Sequence, residues 1–347
     1  MWYITQGEDT NLKVRVINLK LSLRKINKFF DDKHVLQDVS FEVESGRAMG
    51  FLGRNGSGKT TTFRCLMDIF KPNSGEILLD GEKFSVEKIK IGYLPEERGM
   101  YAKEKILDQL TYFGSLKGSS KSASKKSAEQ WLDRFDLLEH GKDNLEVLSK
   151  GNQQKVQIIQ AFLNNPDIII LDEPFSGLDP VNSALFKDVI REEINKDKLV
   201  IFSSHQMSYV EEFCDDITLI DHGQILVNDD LQKIKNEIGK GKIRIEPKEI
   251  ERSELKRIIE EMPDISKDSI EEDKDSLIVS LMQDSKQFLT QIIEKDIEIK
   301  LFASYHPTLT DIFIKLVQEH DQDLEYTEMD NSGNSSTVIE DKEYEHA

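Results

Sequence analysis

Residues 53–60 have the sequence GRNGSGKT, which fits the pattern G-x-x-x-x-G-K-[ST]. The loop follows the short apolar segment AMGFL, which is typical of a strand. After the loop, apolar residues recur at the spacing of a helix face, at Phe63, Leu66, Met67 and Phe70. The segment therefore predicts a strand, a glycine-rich loop and a helix, which is the context that this motif requires for binding phosphate.

The residue types in this loop fit a nucleotide. Glycines let successive backbone N–H groups turn inward around phosphates, and the start of the helix adds positive potential. Lys59 can place its charge on the β and γ phosphates, and the Thr60 hydroxyl can bind Mg²⁺. The alternative is a chance glycine-rich turn, which the strand and helix on either side argue against. The predicted binding residues are Gly53, Arg54, Asn55, Gly56, Ser57, Gly58, Lys59, Thr60 and Thr61.

Two adjacent carboxylates, Asp172 and Glu173, end the apolar strand that contains residues 168–171. Carboxylates in that position are costly unless they face a cation or water. We predict that Asp172 holds Mg²⁺ and that Glu173 orients and polarises the attacking water. The alternative for this pair alone is a solvated acidic turn.

The remaining pattern alternates strands with helices. Strands are predicted in DIIILDE, KLVIFSS and ITLIDHGQILV, and residues 103–163 have helical periodicity. Within the helical region, residues 117–128 are interpreted as a polar, low-complexity connector. We therefore predict a largely parallel α/β domain over residues 19–235 with a helical insertion. Residues 1–18 are interpreted as an N-terminal extension.

A second pattern of short strands and helices begins near residue 240. It predicts a small α+β accessory domain over residues 240–318. The final segment, residues 319–347, is rich in acidic residues and is predicted to be disordered.

Composition excludes several classes of protein. The formal net charge of −19 disfavours a surface that binds DNA or RNA, which requires Lys and Arg to neutralise phosphates. The two cysteines, Cys65 and Cys214, lie far apart, so a disulfide framework is not predicted and a reducing cytoplasmic setting fits better. Apolar stretches fall well short of the roughly 20 residues that cross a bilayer.

Three further motifs make residues 19 to about 230 resemble the nucleotide-binding subunit of an ABC transporter. LSKGN, residues 148–152, resembles the family's signature segment, and SGLDP, residues 176–180, resembles its D-loop. SSH, ending at His205, resembles the switch histidine that follows a strand. The resemblance implies a P-loop NTPase fold, ATP and Mg²⁺ as ligands, and ATP hydrolysis by Glu173, His205 and Lys59.

The resemblance also implies a second ATP-binding subunit. Ser149 and Gly151 would contact the γ-phosphate of ATP bound to the other subunit's loop, and Asp179 of the D-loop would lie at the same nucleotide. Two ATP molecules would then be enclosed in a head-to-tail dimer. Whether the second subunit is identical to the first or different stays open.

Further positions are assigned through the same resemblance. Phe30 matches the aromatic residue that stacks on adenine, with Phe29 as the fallback. Glu96 stands where the family usually has Gln, and its carboxylate can still bind Mg²⁺ while adding negative charge. Lys150 replaces a glycine of the usual signature and adds a cation.

The segments GYLPEERG and LSKGNQQK resemble a subgroup of ABC-2-type exporters similar to bacterial sodium-extrusion ATP-binding subunits. That resemblance implies export of sodium or a drug through a separate integral membrane permease. The chain would then be cytoplasmic and peripheral on the inner face of the cell membrane. The competing hypothesis is a soluble ABC ATPase that acts on a partner outside the membrane, such as the ribosome.

Overall fold

The computed structural model describes residues 19–333 apart from 97, 98, 263, 264 and 283, with the backbone alone for 267 and 325–333. The described chain divides into two compact units, the first ending at Leu231 and the second beginning at Gln232. The predicted extension at residues 1–18 lies outside the described residues. No helix among the described residues is both long and apolar enough to cross a membrane.

The first unit contains two sheets and six helices of its own. Its strands are β1 (Lys20–Phe30), β2 (Lys33–Glu44), β3 (Ala48–Leu52), β4 (Ser74–Leu79), β5 (Glu82–Lys83), β6 (Ile91–Leu94), β7 (Ile168–Asp172), β8 (Leu199–Ser203), β9 (Asp216–Asp221) and β10 (Gln224–Asp230). Its helices are α1 (Lys59–Leu66), α2 (Ile106–Leu116), α3 (Lys121–Arg134), α4 (Lys150–Phe162), α5 (Pro180–Ile194) and α6 (Met207–Phe213).

The larger sheet has the strand order β10-β9-β3-β8-β7-β6. All neighbouring strands are parallel except β9 and β10, which form an antiparallel pair joined by a turn at His222 and Gly223. Every residue of β3, β7 and β8 is buried, as expected for parallel strands covered on both faces. Because Asp172 pairs with Ser203, the carboxyl ends of β7 and β8 lie side by side.

The smaller sheet, in the order β2-β1-β4-β5, is antiparallel. Its core residue Phe41 contacts Phe51 of β3 at a ring separation of 5.2 Å, and Phe51 contacts Phe63 of α1 at 5.3 Å. These three buried rings join both sheets to the helix that follows the glycine-rich loop. The two elements that the loop connects, β3 and α1, are therefore held in one continuous apolar core.

The prediction of a connector over residues 117–128 was wrong, because residues from Lys121 onward form α3. Ser120 caps this helix by accepting a hydrogen bond from the Ala123 N–H at 3.2 Å. The buried face is carried by Ser124, Ala128 and Leu132, which are spaced four residues apart. The small side chains of Ser124 and Ala128 let the helix approach α2 closely. Because these residues are small or polar, a search for large apolar residues does not detect their helical spacing.

The strands of the second unit are β11 (Lys242–Pro247), β12 (Ile270–Asp273), β13 (Ser276–Ser280) and β14 (Ile299–Ser304), and its helices are α7 (Leu231–Gly239), α8 (Arg252–Glu260), α9 (Ser285–Glu294) and α10 (Leu309–Gly333). The strands form an antiparallel sheet in the order β12-β13-β11-β14. Apolar residues from α8 and α9, including Leu255 and Phe288, pack in one cluster with Ile245 and Leu277 of the sheet. The α+β class predicted for this region is confirmed.

The prediction of disorder from residue 319 was wrong for its first part, since α10 continues to Gly333. The helix begins with a reciprocal cap, in which Asp311 accepts from the Thr308 N–H at 2.9 Å and its own N–H bonds to the Thr308 hydroxyl at 3.2 Å. Extending a nucleated helix costs much less than starting one, and here the acidic residues continue a helix that is already formed. Residues 334–347 lie outside the described part.

Candidate nucleotide-binding site

The glycine-rich loop joins β3 to α1, and two of its glycines are required by close packing. A Cβ on Gly53 would lie 2.3 Å from the Ile220 carbonyl oxygen, and one on Gly58 would lie 2.8 Å from the Leu36 side chain. Gly58 also has a φ of +114°, a conformation that other residues rarely adopt. Only glycine allows the chain to turn here directly into α1.

The loop forms one wall of a cavity of about 480 Å³. From the loop, this cavity is lined by Asn55, Gly56, Gly58, Lys59, Thr60 and Thr61. From other segments it is lined by Val35, Glu96, Asp172, Glu173 and His205. The fold thus brings together residues that lie up to 170 positions apart in the sequence, and eight of the eleven have a charged or polar side chain.

Lys59 is held inside the loop. Its Nζ donates to the carbonyl oxygens of Gly53 at 2.8 Å and Arg54 at 3.1 Å. Burial lowers the pKa of Lys59, and the nearby carboxylates Glu173 and Asp172 act in the opposite direction. An ammonium group held this way is available to a phosphate without further ordering of its long side chain.

Asp172 is buried, with 2% of its surface exposed. Its carboxylate accepts hydrogen bonds from the Ser203 hydroxyl at 2.5 Å and from the Thr60 hydroxyl at 3.3 Å. Burial raises the pKa of Asp172, and the negative charge of Glu96 adds to the increase. In the described part of the chain no Lys or Arg forms an ion pair with Asp172, so a buried carboxylate beside a hydroxyl fits Mg²⁺.

Glu173 lies at the end of β7 with a φ of +51°, a strained conformation for a residue other than glycine. Its Oε2 is 2.8 Å from Nδ1 of His205, and its backbone N–H donates to the Ser203 hydroxyl at 3.2 Å. Burial raises the pKa of Glu173, while the hydrogen bond with His205 opposes that increase. A carboxylate with a raised pKa, positioned by a histidine, suits a general base.

Three predicted loop residues, Gly53, Arg54 and Ser57, are not among the described residues that line the cavity. Arg54 instead points to the end of β9, where its Nε and Nη2 donate to the two carboxylate oxygens of Asp221 at 2.9 and 2.7 Å. This bidentate pair fixes the loop against the sheet. Arg54 thus shapes the loop in this structure.

Three residues at the site were not predicted from the sequence, namely Ser203, Asp221 and Val35. Ser203 is two residues before His205, and its place at a strand end beside Asp172 could have been found from the order of the strands. The Arg54–Asp221 pair joins residues 167 positions apart, so no short sequence motif could have predicted it.

The signature and D-loop residues lie together on two helix N-termini. Ser149 caps α4 by accepting from the Asn152 N–H at 3.3 Å, and Asp179 caps α5 by accepting from the N–H groups of Val181 and Asn182 at 3.0 Å. A Cβ on Gly151 would lie 3.7 Å from an Asp179 carboxylate oxygen. None of Ser149, Gly151 and Asp179 is among the described residues that line the cavity.

The two candidate adenine contacts, Phe29 and Phe30, end β1 and are partly exposed. The Phe29 ring stacks on His34 at 4.0 Å, whereas the edge of Phe30 meets Phe70 at 5.1 Å. Phe70 lies four residues after the end of α1, so Phe30 contacts the segment that follows this helix. Neither ring is among the described residues that line the cavity, and the contact with adenine remains a prediction.

Comparison with known proteins identifies both units. The ABC transporter family matches residues 36–176, and the family described as "ATP-binding protein DrrA1-3-like, C-terminal domain" matches residues 230–317. The uncharacterized ABC transporter ATP-binding protein BpOF4_11395 of Alkalihalophilus pseudofirmus is 39% identical over 77% of this chain and 98% of its own length. The linearmycin resistance ATP-binding protein LnrL of Bacillus subtilis is 31% identical over 59% of this chain and 68% of its own length.

Solved structures agree with these relatives. A structure described as the ATP binding subunit of an ABC transporter aligns with a TM-score of 0.59 and 27% identity, over 63% of this chain and 93% of the other. The ATPase fold predicted from the motifs is confirmed. The chain belongs to the ABC transporter family, as a subunit that binds and hydrolyses ATP.

Proposed function

We propose that this subunit powers export through a separate membrane-spanning permease, and that the cargo is sodium or a drug-like molecule. The single observation that carries the ATPase part is the cavity in which Lys59, Asp172, Glu173 and His205 converge. The export part is supported by the DrrA1-3-like match of the second unit and by the relative named for linearmycin resistance. The subunit would act on the inner face of the cell membrane.

The residues of the cavity have complementary roles in this proposal. Lys59 and the loop N–H groups bind the β and γ phosphates, while Thr60, Asp172 and Glu96 supply oxygen ligands for Mg²⁺. When bound, Mg²⁺ neutralises charge on the phosphates. Glu173 accepts a proton from the attacking water, and His205 holds the Glu173 carboxylate and faces the γ-phosphate.

The proposal includes a second ATP-binding subunit. Ser149 and Gly151 lie at the start of α4, where backbone N–H groups and the helix dipole favour a phosphate. Because these residues do not line the cavity of their own chain, the phosphate they meet belongs to ATP on the other subunit. Closure around two ATP molecules, followed by hydrolysis and reopening, would move the permease.

An affinity purification from native membranes tests the export proposal. A tagged Glu173→Gln variant would be isolated with ATP and Mg²⁺, and its partners identified by mass spectrometry. The expected partner is a polytopic membrane protein, present with Glu173→Gln and reduced with Lys59→Ala, which cannot hold ATP to close the dimer. Recovery of ribosomes or nucleic acid with no membrane protein would contradict the proposal.

A further inference from the structure

The second unit contains a cavity of its own, of about 350 Å³. It lies where the end of α7 and the start of β11 meet the start of α9 and the end of β14. Its polar lining includes Lys240, Lys242 and His306. None of its lining residues belongs to the nucleotide cavity of the first unit.

The charge of this cavity is opposite to that of the chain. The whole sequence has a formal net charge of −19, yet no carboxylate is among the described residues that line the cavity. The Nζ of Lys242 is paired with Glu271 at 2.7 Å. Lys240 forms no ion pair with any carboxylate in the described part of the chain, so its positive charge is left for a ligand, and the His306 ring adds a hydrogen-bonding group to the lining.

Further donors lie around these cations. Ser285, the first residue of the ten-residue helix α9, lines the cavity together with Ser304 and Asn236. Asp284 caps α9 through the Lys286 N–H at 3.0 Å, so part of the helix terminus is already used. The Ser304 hydroxyl and the Asn236 amide can donate to ligand oxygens beside the lysines.

Part of the cavity lining is apolar. It is formed by Ile243, Leu281 and Tyr305, of which Ile243 and Tyr305 are buried. The Tyr305 hydroxyl donates to Asp311 at 3.4 Å. Cationic and apolar lining residues together fit a ligand that has an anionic group and a small organic part.

We propose that this cavity binds a small phosphate-bearing ligand, either inorganic phosphate or a phosphate monoester. Ammonium groups act as separate point charges, and Lys240, with Lys242 and the His306 ring beside it, offers several donors to the oxygens of one phosphate group. The hydroxyl and amide donors complete the shell around the phosphate oxygens. The accessory unit is then a ligand-binding unit, in addition to its place in the transporter subunit.

Isothermal titration of the full chain tests this site. Because the glycine-rich loop also binds phosphate, the titrations use a Lys59→Ala background, with inorganic phosphate and phenyl phosphate as probes. We expect saturable binding of at least one probe, weakened about tenfold or more by Lys240→Gln with His306→Gln, as expected for loss of a charged donor and a ring donor. The control removes two lysines of the same unit that do not line the cavity, by Lys274→Gln with Lys295→Gln, and should leave binding unchanged.

The two probes distinguish the sources of the phosphate. Tighter binding of phenyl phosphate would assign the site to a monoester whose organic part contacts Tyr305, and equal affinity would assign it to inorganic phosphate. Thermal melting of all variants checks that each is folded. The proposal is overturned if neither probe binds in the Lys59→Ala background, or if the cavity variant and the lysine control bind equally.

Discussion

The two units of this subunit differ in the burial and ion pairing of their carboxylates. In the first unit Asp172 is buried, has no cationic partner among the described residues, and has a raised pKa. In the second unit carboxylates such as Glu298 and Glu272 are exposed and pair with Lys248 at 2.5 Å and Lys256 at 2.8 Å. Exposed pairs contribute little to stability, whereas a buried carboxylate is costly unless a ligand compensates it. The contrast locates the chemistry in the first unit.

The sheets explain why the contrast arises. In the first unit parallel strands end at one edge, so Asp172, Ser203 and the glycine-rich loop meet without any nearby sequence relationship. In the second unit antiparallel strands alternate direction, and their charged residues form cross-strand pairs such as Arg244 with Asp273 and Lys242 with Glu271. A parallel edge concentrates polar groups, while an antiparallel sheet distributes them.

The largest effect is expected from Glu173→Gln. Loss of the general base should reduce the rate of ATP hydrolysis by about 10²- to 10⁴-fold, while ATP binding remains. The rate is measured as phosphate release at saturating ATP. The matched control in the second unit is Glu272→Gln, which should leave the rate unchanged. A Glu173→Gln variant with an undiminished rate would remove the role assigned to this carboxylate.

Removing the hydroxyl that holds Asp172 should have the next largest effect. Ser203→Ala leaves a buried carboxylate with one fewer donor, so unfolding free energy should fall by about 1–3 kcal/mol and the Mg²⁺ concentration for half-maximal activity should rise. The control is Ser276→Ala, a buried serine of the second unit whose hydroxyl donates to a neutral carbonyl at 2.9 Å. Chemical denaturation compares the two, and equal losses would break the contrast between the units.

A smaller effect should separate the two aromatic residues at the end of β1. Phe30→Ala should raise the KM for ATP by up to about tenfold, the size of one lost aromatic stacking contact. Phe29→Ala should change the KM less, because its ring is already stacked on His34. Steady-state kinetics of both variants decide between them, and a larger change with Phe29→Ala would transfer the adenine contact to that residue.

The smallest effect should follow the loss of an exposed ion pair in the second unit. Glu298→Gln removes the partner of Lys248, and more than half of each side chain is exposed. The unfolding free energy should change by less than about 1 kcal/mol, and raising the salt concentration should reduce the difference further. If Glu298→Gln lowered the unfolding free energy as much as Ser203→Ala, exposed ion pairs would be important for the stability of the second unit, which would contradict this contrast between the units.

Much of the nucleotide cavity could be predicted from the sequence because its residues occur in short segments with definite chemistry. Lys59 and Thr60 follow a glycine pattern, and Asp172 with Glu173 end an apolar strand. What the sequence did not supply depends on distant contacts. The pairing of Arg54 with Asp221 across the loop is one example, and the packing of α3 through Ser124 and Ala128 is another.

The signature residues mark a different limit. Ser149 and Gly151 were assigned to a nucleotide through family resemblance, and one copy of the chain does not bring them to its own cavity. In the proposed mechanism these residues act on ATP held by a second subunit, so the complete site is formed between two chains.

The number of subunits and nucleotides in the trapped complex tests whether two ATP-binding subunits enclose two ATP molecules and bind a permease. The tagged Glu173→Gln variant, isolated from native membranes with ATP and Mg²⁺, would be weighed by native mass spectrometry. We expect a complex of two ATP-binding subunits, two ATP molecules and a membrane-spanning protein. A single subunit that holds ATP at saturation, with neither a second ATP-binding subunit nor a membrane protein, would contradict it.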